Sequence, residues 1–136
     1  MVLADTGALY ALMDRSDAWH ERTRRWWGEH GASVIVPSVV LPEVCYLLQA
    51  RIGAAAEHDF IRAVADGEFV LEDPEPDDIA RAADIMRQYA DFPLGFVDSA
   101  IVAMSERLWT RDVLTTDRRH FGAVRPKHAR TLTLLP

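Results

Sequence analysis

Three carboxylates stand alone in long stretches that carry no other charge. Asp5 is the only charged residue between Met1 and Met13, Glu43 the only one between Gly31 and Ala50, and Asp98 the only one between Phe92 and Ser105. Their neighbours are mostly Val, Ile, Leu, Ala and Phe, so each stretch has the composition of a core-forming element. A carboxylate in such surroundings is costly to desolvate unless a partner compensates it. None of the three stretches supplies a Lys or Arg. A divalent cation held where the acids converge is the simplest shared compensation, and oxygen-only ligands select a hard ion, Mg²⁺ or Mn²⁺.

The elements that must position these acids alternate. Short apolar runs at Val2–Ala4, Ser33–Val36, Phe69–Leu71, Val113–Thr116 and Thr131–Leu135 have the character of strands. Between them, helices are expected over Ala8–Met13, Asp17–Glu29, Val39–Arg51 with Ser38 as its cap, Ala54–Ala65, Ile79–Tyr89 and Val97–Leu108. An acidic connector, Glu72–Asp78, and a basic loop, Arg118–Lys127, complete the chain. Uniformly apolar strands alternating with helices predict an α/β fold, a parallel sheet of four to five strands covered on both faces, in one domain spanning 1–136. In such sheets ligands sit beyond the carboxyl ends of the strands. Asp5 directly follows the first strand and Asp117 the fourth. Glu43 lies on the helix after the second, and Asp98 in the first turn of the helix that feeds the fourth. All four acids are therefore expected at one edge. Three of them also have a plainer role open to them, Asp5 as a helix cap, Asp98 at a helix dipole and Asp117 in an Asx-turn. Glu43 has the weakest such alternative, because past the first turn of a helix it has no local backbone role.

Other chemistries lack their residues. There is no Gly-rich phosphate loop or dinucleotide fingerprint. His20, His30, His58, His120 and His128 are scattered without zinc spacing. The one cysteine, Cys45, has no internal disulfide partner and no nearby His, and is expected to be a buried structural thiol. No basic segment precedes an apolar run at the N-terminus, and Pro37, Pro42 and Glu43 interrupt the apolar stretch at Val34–Leu48. Neither a signal peptide nor a membrane span is expected, and a reducing cytoplasm suits the composition. The net charge of −6 is uneven: Arg107–Pro136 carries seven Arg/Lys against two Asp. A nucleic-acid partner is therefore compatible with an acidic chain.

Four segments, in order, are similar to those of PIN domains, and in particular to the VapC toxins of bacterial VapBC toxin–antitoxin pairs. They are Val2-Leu3-Ala4-Asp5-Thr6-Gly7-Ala8-Leu9, Val36-Pro37-Ser38 through Glu43-Val44, Phe96-Val97-Asp98-Ser99-Ala100-Ile101-Val102-Ala103, and Leu114-Thr115-Thr116-Asp117-Arg118-Arg119-His120-Phe121. The resemblance implies a three-layer PIN-like fold and an endoribonuclease dependent on Mg²⁺ or Mn²⁺. It maps the acidic site onto Asp5, Glu43, Asp98 and Asp117. Thr6, Ser99 and Thr116 would supply hydroxyls that orient the carboxylates. Arg111, Arg118, Arg119 and Lys127 would contact phosphates of the RNA. A VapB-type antitoxin and a homodimer are also implied. Two other functions compete with this one: a PIN-like module that binds RNA or protein without cleaving, and a PIN nuclease of RNA processing outside toxin–antitoxin pairs. A phosphotransfer receiver domain is disfavoured, since Asp5 has no adjacent acid and the only Lys, Lys127, lies in the basic loop.

Overall fold

Strands of three or four residues suffice here because most are apolar on both faces. The computed structural model describes residues 1–136. Strand β1 (Val2–Ala4) leads to α1 (Thr6–Met13) and α2 (His20–His30), and β2 (Val34–Pro37) to α3 (Leu41–Arg51) and α4 (Ala54–Ala65). Then β3 (Val70–Glu72) is followed by α5 (Pro76–Gln88) and α6 (Phe96–Arg107), β4 (Asp112–Leu114) by α7 (Arg118–Ala123), and β5 (Thr133–Leu135) ends the chain. The strands form one parallel sheet in the order β3-β2-β1-β4-β5.

From β1 the chain steps outward on one side to β2 and β3, and later on the other side to β4 and β5. Right-handed crossovers then put α1–α4 on one face and α5–α7 on the other, giving three layers. In keeping with this, α1 packs on α2 and α3, α3 on α4, and α5 on α6. The direction of stepping reverses between β1 and β4, and in open α/β sheets ligands bind beyond the carboxyl ends at such a point. Leu3, Leu9, Ile101, Leu114 and Phe121 are fully buried around this centre. Each contributes about 1.5–3 kcal/mol through area removed from water. Helix α6 is buried continuously from Ser99 to Ser105, as a helix apolar on all sides must be.

Several boundaries differ from the sequence expectation. The segment expected as a loop at Arg118–Lys127 begins with a helix, α7, because Asp117 caps it. Ser38 does not cap α3; it opens a 3₁₀ turn, Ser38–Val40, and α3 starts at Leu41. β3 is not a buried strand: it lies at the sheet edge, with Val70 60% and Leu71 40% exposed. Cys45 is half-buried rather than enclosed, and burial, with the Glu57 charge adding to it, pushes its thiol pKa up.

Candidate active site

Two of the four acids are placed by strand ends and double as helix caps. Asp5 leaves β1 in extended conformation, and its Oδ1 accepts from the Gly7 N–H at 2.6 Å, capping α1. Its Oδ2 accepts a hydrogen bond from Thr115 Oγ1. The same Thr115 oxygen accepts the Asp117 N–H at 2.8 Å. Asp117 in turn caps α7, with Oδ1 taking the His120 N–H at 2.9 Å and Oδ2 facing His120 Nδ1 at 2.8 Å. A carboxylate only accepts, so Nδ1 carries the proton in that contact. One buried hydroxyl thus ties the end of β1 to the end of β4.

The other two acids come from helix starts. Asp98 lies in the first turn of α6, and Glu43 in the first turn of α3. Glu43 Oε1 accepts from Thr6 Oγ1 at 2.8 Å, which joins α3 to the start of α1. Burial differs among the four: Asp5 is 5% exposed, Asp98 and Asp117 are half-buried, and Glu43 faces solvent. The desolvation expected for Glu43 from its apolar neighbours is therefore absent. Those neighbours point inward through Val44 and Leu48, and Glu43 occupies the opposite face of α3.

The acids feel one another. Asp5 is raised to about 6, first by burial, against the lowering bonds from Thr115 and Gly7, and further by the charges of Asp117 and Glu43. Asp98 is raised to about 7, again by burial first and then by Asp5, Asp117 and Glu43, with His120 acting in the opposite sense. Burial, with like charges near by, produces this pattern. No group of three acids or imidazoles closes on a common point at ligand distance. The donor set nevertheless suits a hard divalent cation, being made of carboxylates and hydroxyls with no Lys, Arg or thiolate bonded among them.

A scan against family models matches residues 2–125 to the PIN domain. The chain belongs to the PIN-domain family. A curated relative, the ribonuclease VapC26 of Mycobacterium tuberculosis, is 33% identical over 135 residues, covering 99% of this chain and all of the relative. Among solved structures, the M. tuberculosis toxin VapC20, described as cleaving the sarcin-ricin loop, superposes with a TM-score of 0.84 at 22% identity. It covers 96% of this chain and 99% of its own. The DNA-bound VapBC complex of Salmonella typhimurium gives 0.70 at 15% identity, over 93% and 95% of the two chains. These two structural matches show the shared PIN fold.

Within this PIN domain the expected supporting residues divide. Thr6 sits on Glu43 as expected. Ser99 does not orient a carboxylate: its hydroxyl is buried without a hydrogen-bond partner. Thr116 lies against Gly7, where an added Cβ would come within 2.5 Å of its Oγ1. The hydroxyl that does hold Asp5 belongs to Thr115, one residue earlier. Ala4 pairs with Leu114 across β1 and β4, so Asp5 falls opposite Thr115. Knowing that register would have identified it.

The four basic residues also separate. The Arg118 guanidinium is engaged by the Leu134 and Pro136 carbonyls at 2.8 and 2.7 Å and lies over the Trp19 ring. Arg111 precedes β4, at the end of that strand opposite Asp117. The Lys127 backbone N–H donates to Glu106 Oε1, at the far end of α6 from Asp98. Arg119 is exposed in the first turn of α7, beside Asp117, with its guanidinium over Phe92.

Proposed function

We propose that this PIN domain, taken as the whole chain, is the toxin ribonuclease of a VapBC-type pair: an endoribonuclease that hydrolyses RNA phosphodiesters with a divalent cation, Mg²⁺ or Mn²⁺. The observation that carries this is the placement of Asp5, Glu43, Asp98 and Asp117 at the carboxyl edge of the sheet, where burial first, and then the neighbouring acids, raise Asp5 and Asp98. The ribonuclease relative over the full chain length supports the same conclusion.

Asp5, Asp98 and Asp117 would hold the cation. When bound it supplies a Lewis acid that acidifies water and offsets charge building on the phosphate oxygens. Glu43, steadied by Thr6, would serve either as a further ligand of the cation or as the base that orients the attacking water and accepts its proton. Thr115 fixes Asp5 relative to Asp117, and His120 fixes the Asp117 carboxylate. Arg119 is the basic side chain placed to meet a flanking phosphate. The S. typhimurium VapBC and the toxin–antitoxin complex of Klebsiella pneumoniae support an antitoxin partner for this chain. No helix is long and apolar enough to cross a membrane; a cytoplasmic homodimer is assigned from the likeness to VapC toxins alone.

The test is incubation of the purified chain with total cellular RNA, in Mg²⁺ or Mn²⁺ and in EDTA, beside Asp98→Asn. Discrete metal-dependent fragments absent from the variant are expected. No cleavage with any metal, by protein shown to be folded and free of antitoxin, would replace this proposal with a non-catalytic binding module.

A further inference from the structure

Helix α3 carries one aromatic ring that the fold does not use. Tyr46 is 68% exposed, while its neighbours Cys45 and Leu47 pack against the core cluster. Tyr46 follows Glu43 by three residues, so the two side chains are neighbours on one helix face, with Cβ atoms about 5–6 Å apart. Both line an open cavity of about 420 Å³ together with Thr6, Pro42 and Leu47. One part of this cavity is therefore a carboxylate of the acidic site with the hydroxyl that holds it. The rest is an aromatic ring with aliphatic and proline surface. An isolated exposed Tyr needs no explanation. A Tyr that shares its cavity with Glu43 and Thr6 does.

An unpaired nucleobase offers the matching surfaces, an apolar π-face and a polar edge. We infer that Tyr46 is a stacking platform for the nucleobase of a nucleotide next to the scissile phosphate. This rests on the ribonuclease assignment above and adds to it where the RNA strand lies: along α3, on the Glu43 side of the acids. Stacking on an aromatic ring is tolerant of base identity. Tyr46 accordingly acts as a positioning residue, setting the strand's register, and takes no part in the chemistry at phosphorus.

The experiment measures binding of a labelled, short single-stranded oligoribonucleotide by fluorescence anisotropy in Mg²⁺, with Asp98→Asn as the cleavage-silent parent. Adding Tyr46→Ala is expected to weaken binding about tenfold. Tyr46→Phe is expected to bind as the parent does, because the ring stacks and the hydroxyl does not. An abasic site walked along the oligonucleotide should reproduce the loss at one position in the parent, and cost nothing further there in Tyr46→Ala. Unchanged affinity in Tyr46→Ala, while the wild-type chain cleaves total RNA, would overturn this inference alone. Absence of cleavage by the wild type would overturn the ribonuclease assignment and this inference with it. A loss of affinity accompanied by a drop in molar mass on light scattering would mark Tyr46 as a contact between copies of the chain, and would also overturn it.

Discussion

Two acidic clusters in this molecule use the same residue types to opposite effect. Between α5 and α6, the two least exposed carboxylates, Asp78 and Glu106, are each paired with an arginine. Arg81 holds Glu106 through two bonds of 2.9 Å. Arg107 reaches Asp78 at 2.8 Å, Glu72 at 3.2 Å and Glu75 at 3.4 Å. Burial pushes Glu106 upward, yet the bond from Arg81 and those that follow it bring its carboxyl below the usual range. At the carboxyl edge of the sheet, Asp5 and Asp98 are raised instead, because burial and neighbouring acids act in the same direction. The first cluster is complete as folded and serves the packing of two helices. In the second, the acids have other acids and hydroxyls as neighbours, and no Lys or Arg is bonded among them. The difference lies in the company each acid keeps, since Asp78 is about as buried as Asp5 but faces an arginine.

The two clusters should therefore respond oppositely when a charge is removed. Asp98→Asn should lower metal-dependent RNA cleavage by roughly a hundred- to a thousandfold. In EDTA the same variant should melt higher than wild type, because one of the repelling charges is gone. Arg107→Ala removes the partner of Asp78, which is 3% exposed. It should cost about 3 kcal/mol in urea unfolding, leaving a buried acid uncompensated. A destabilised Asp98→Asn, or an unaffected Arg107→Ala, would erase the contrast.

The pH dependence sharpens it. Asp5 and Asp98 have raised folded-state values, so between 3.8 and about 6 or 7 the folded chain holds protons that the unfolded chain has released. Their contribution to stability is present below this window and is lost as pH rises through it. For Asp5 the shift corresponds to about 3 kcal/mol. Melting in EDTA should fall accordingly between about pH 4 and about pH 7. Millimolar Mg²⁺ or Mn²⁺ should raise the melting temperature, and by more at the higher pH, where the acids are ionised. A metal shift that shrinks with rising pH would count against the cluster.

The smallest effect expected is that of Thr115→Val. It deletes the hydroxyl between Asp5 and Asp117 and leaves a buried carboxylate oxygen without its donor, a loss of about 1–2 kcal/mol. Metal affinity, read from the same melting shifts, should fall with it. Thr116→Val, one residue on, should leave both readouts close to wild type, since no carboxylate depends on that hydroxyl.

What could be known without a structure was the set of acids and the layer order. Isolation of Asp5, Glu43 and Asp98 among apolar residues is a linear property. So is the alternation of strand-like and helix-like runs, which predicts a parallel sheet and hence a common edge. The helix at Arg118–Ala123 escaped because its stabilising element is the Asp117 cap and the burial of Phe121, and six residues carry too little periodicity to register. Only the tertiary structure decided which hydroxyl serves which acid. Cross-strand register sets Thr115 opposite Asp5, and shifting by one residue sends a side chain to the other face of the sheet. It likewise decided which basic side chains are engaged within the fold and which are exposed. The carbonyls that engage Arg118 belong to the last three residues of the chain, Arg111 precedes β4 at the end opposite Asp117, and the Lys127 backbone is tied to Glu106 near the end of α6. Residue type and local pattern determined what chemistry the chain holds. Packing of distant segments determined where each group points, because that depends on contacts between residues as many as 110 positions apart.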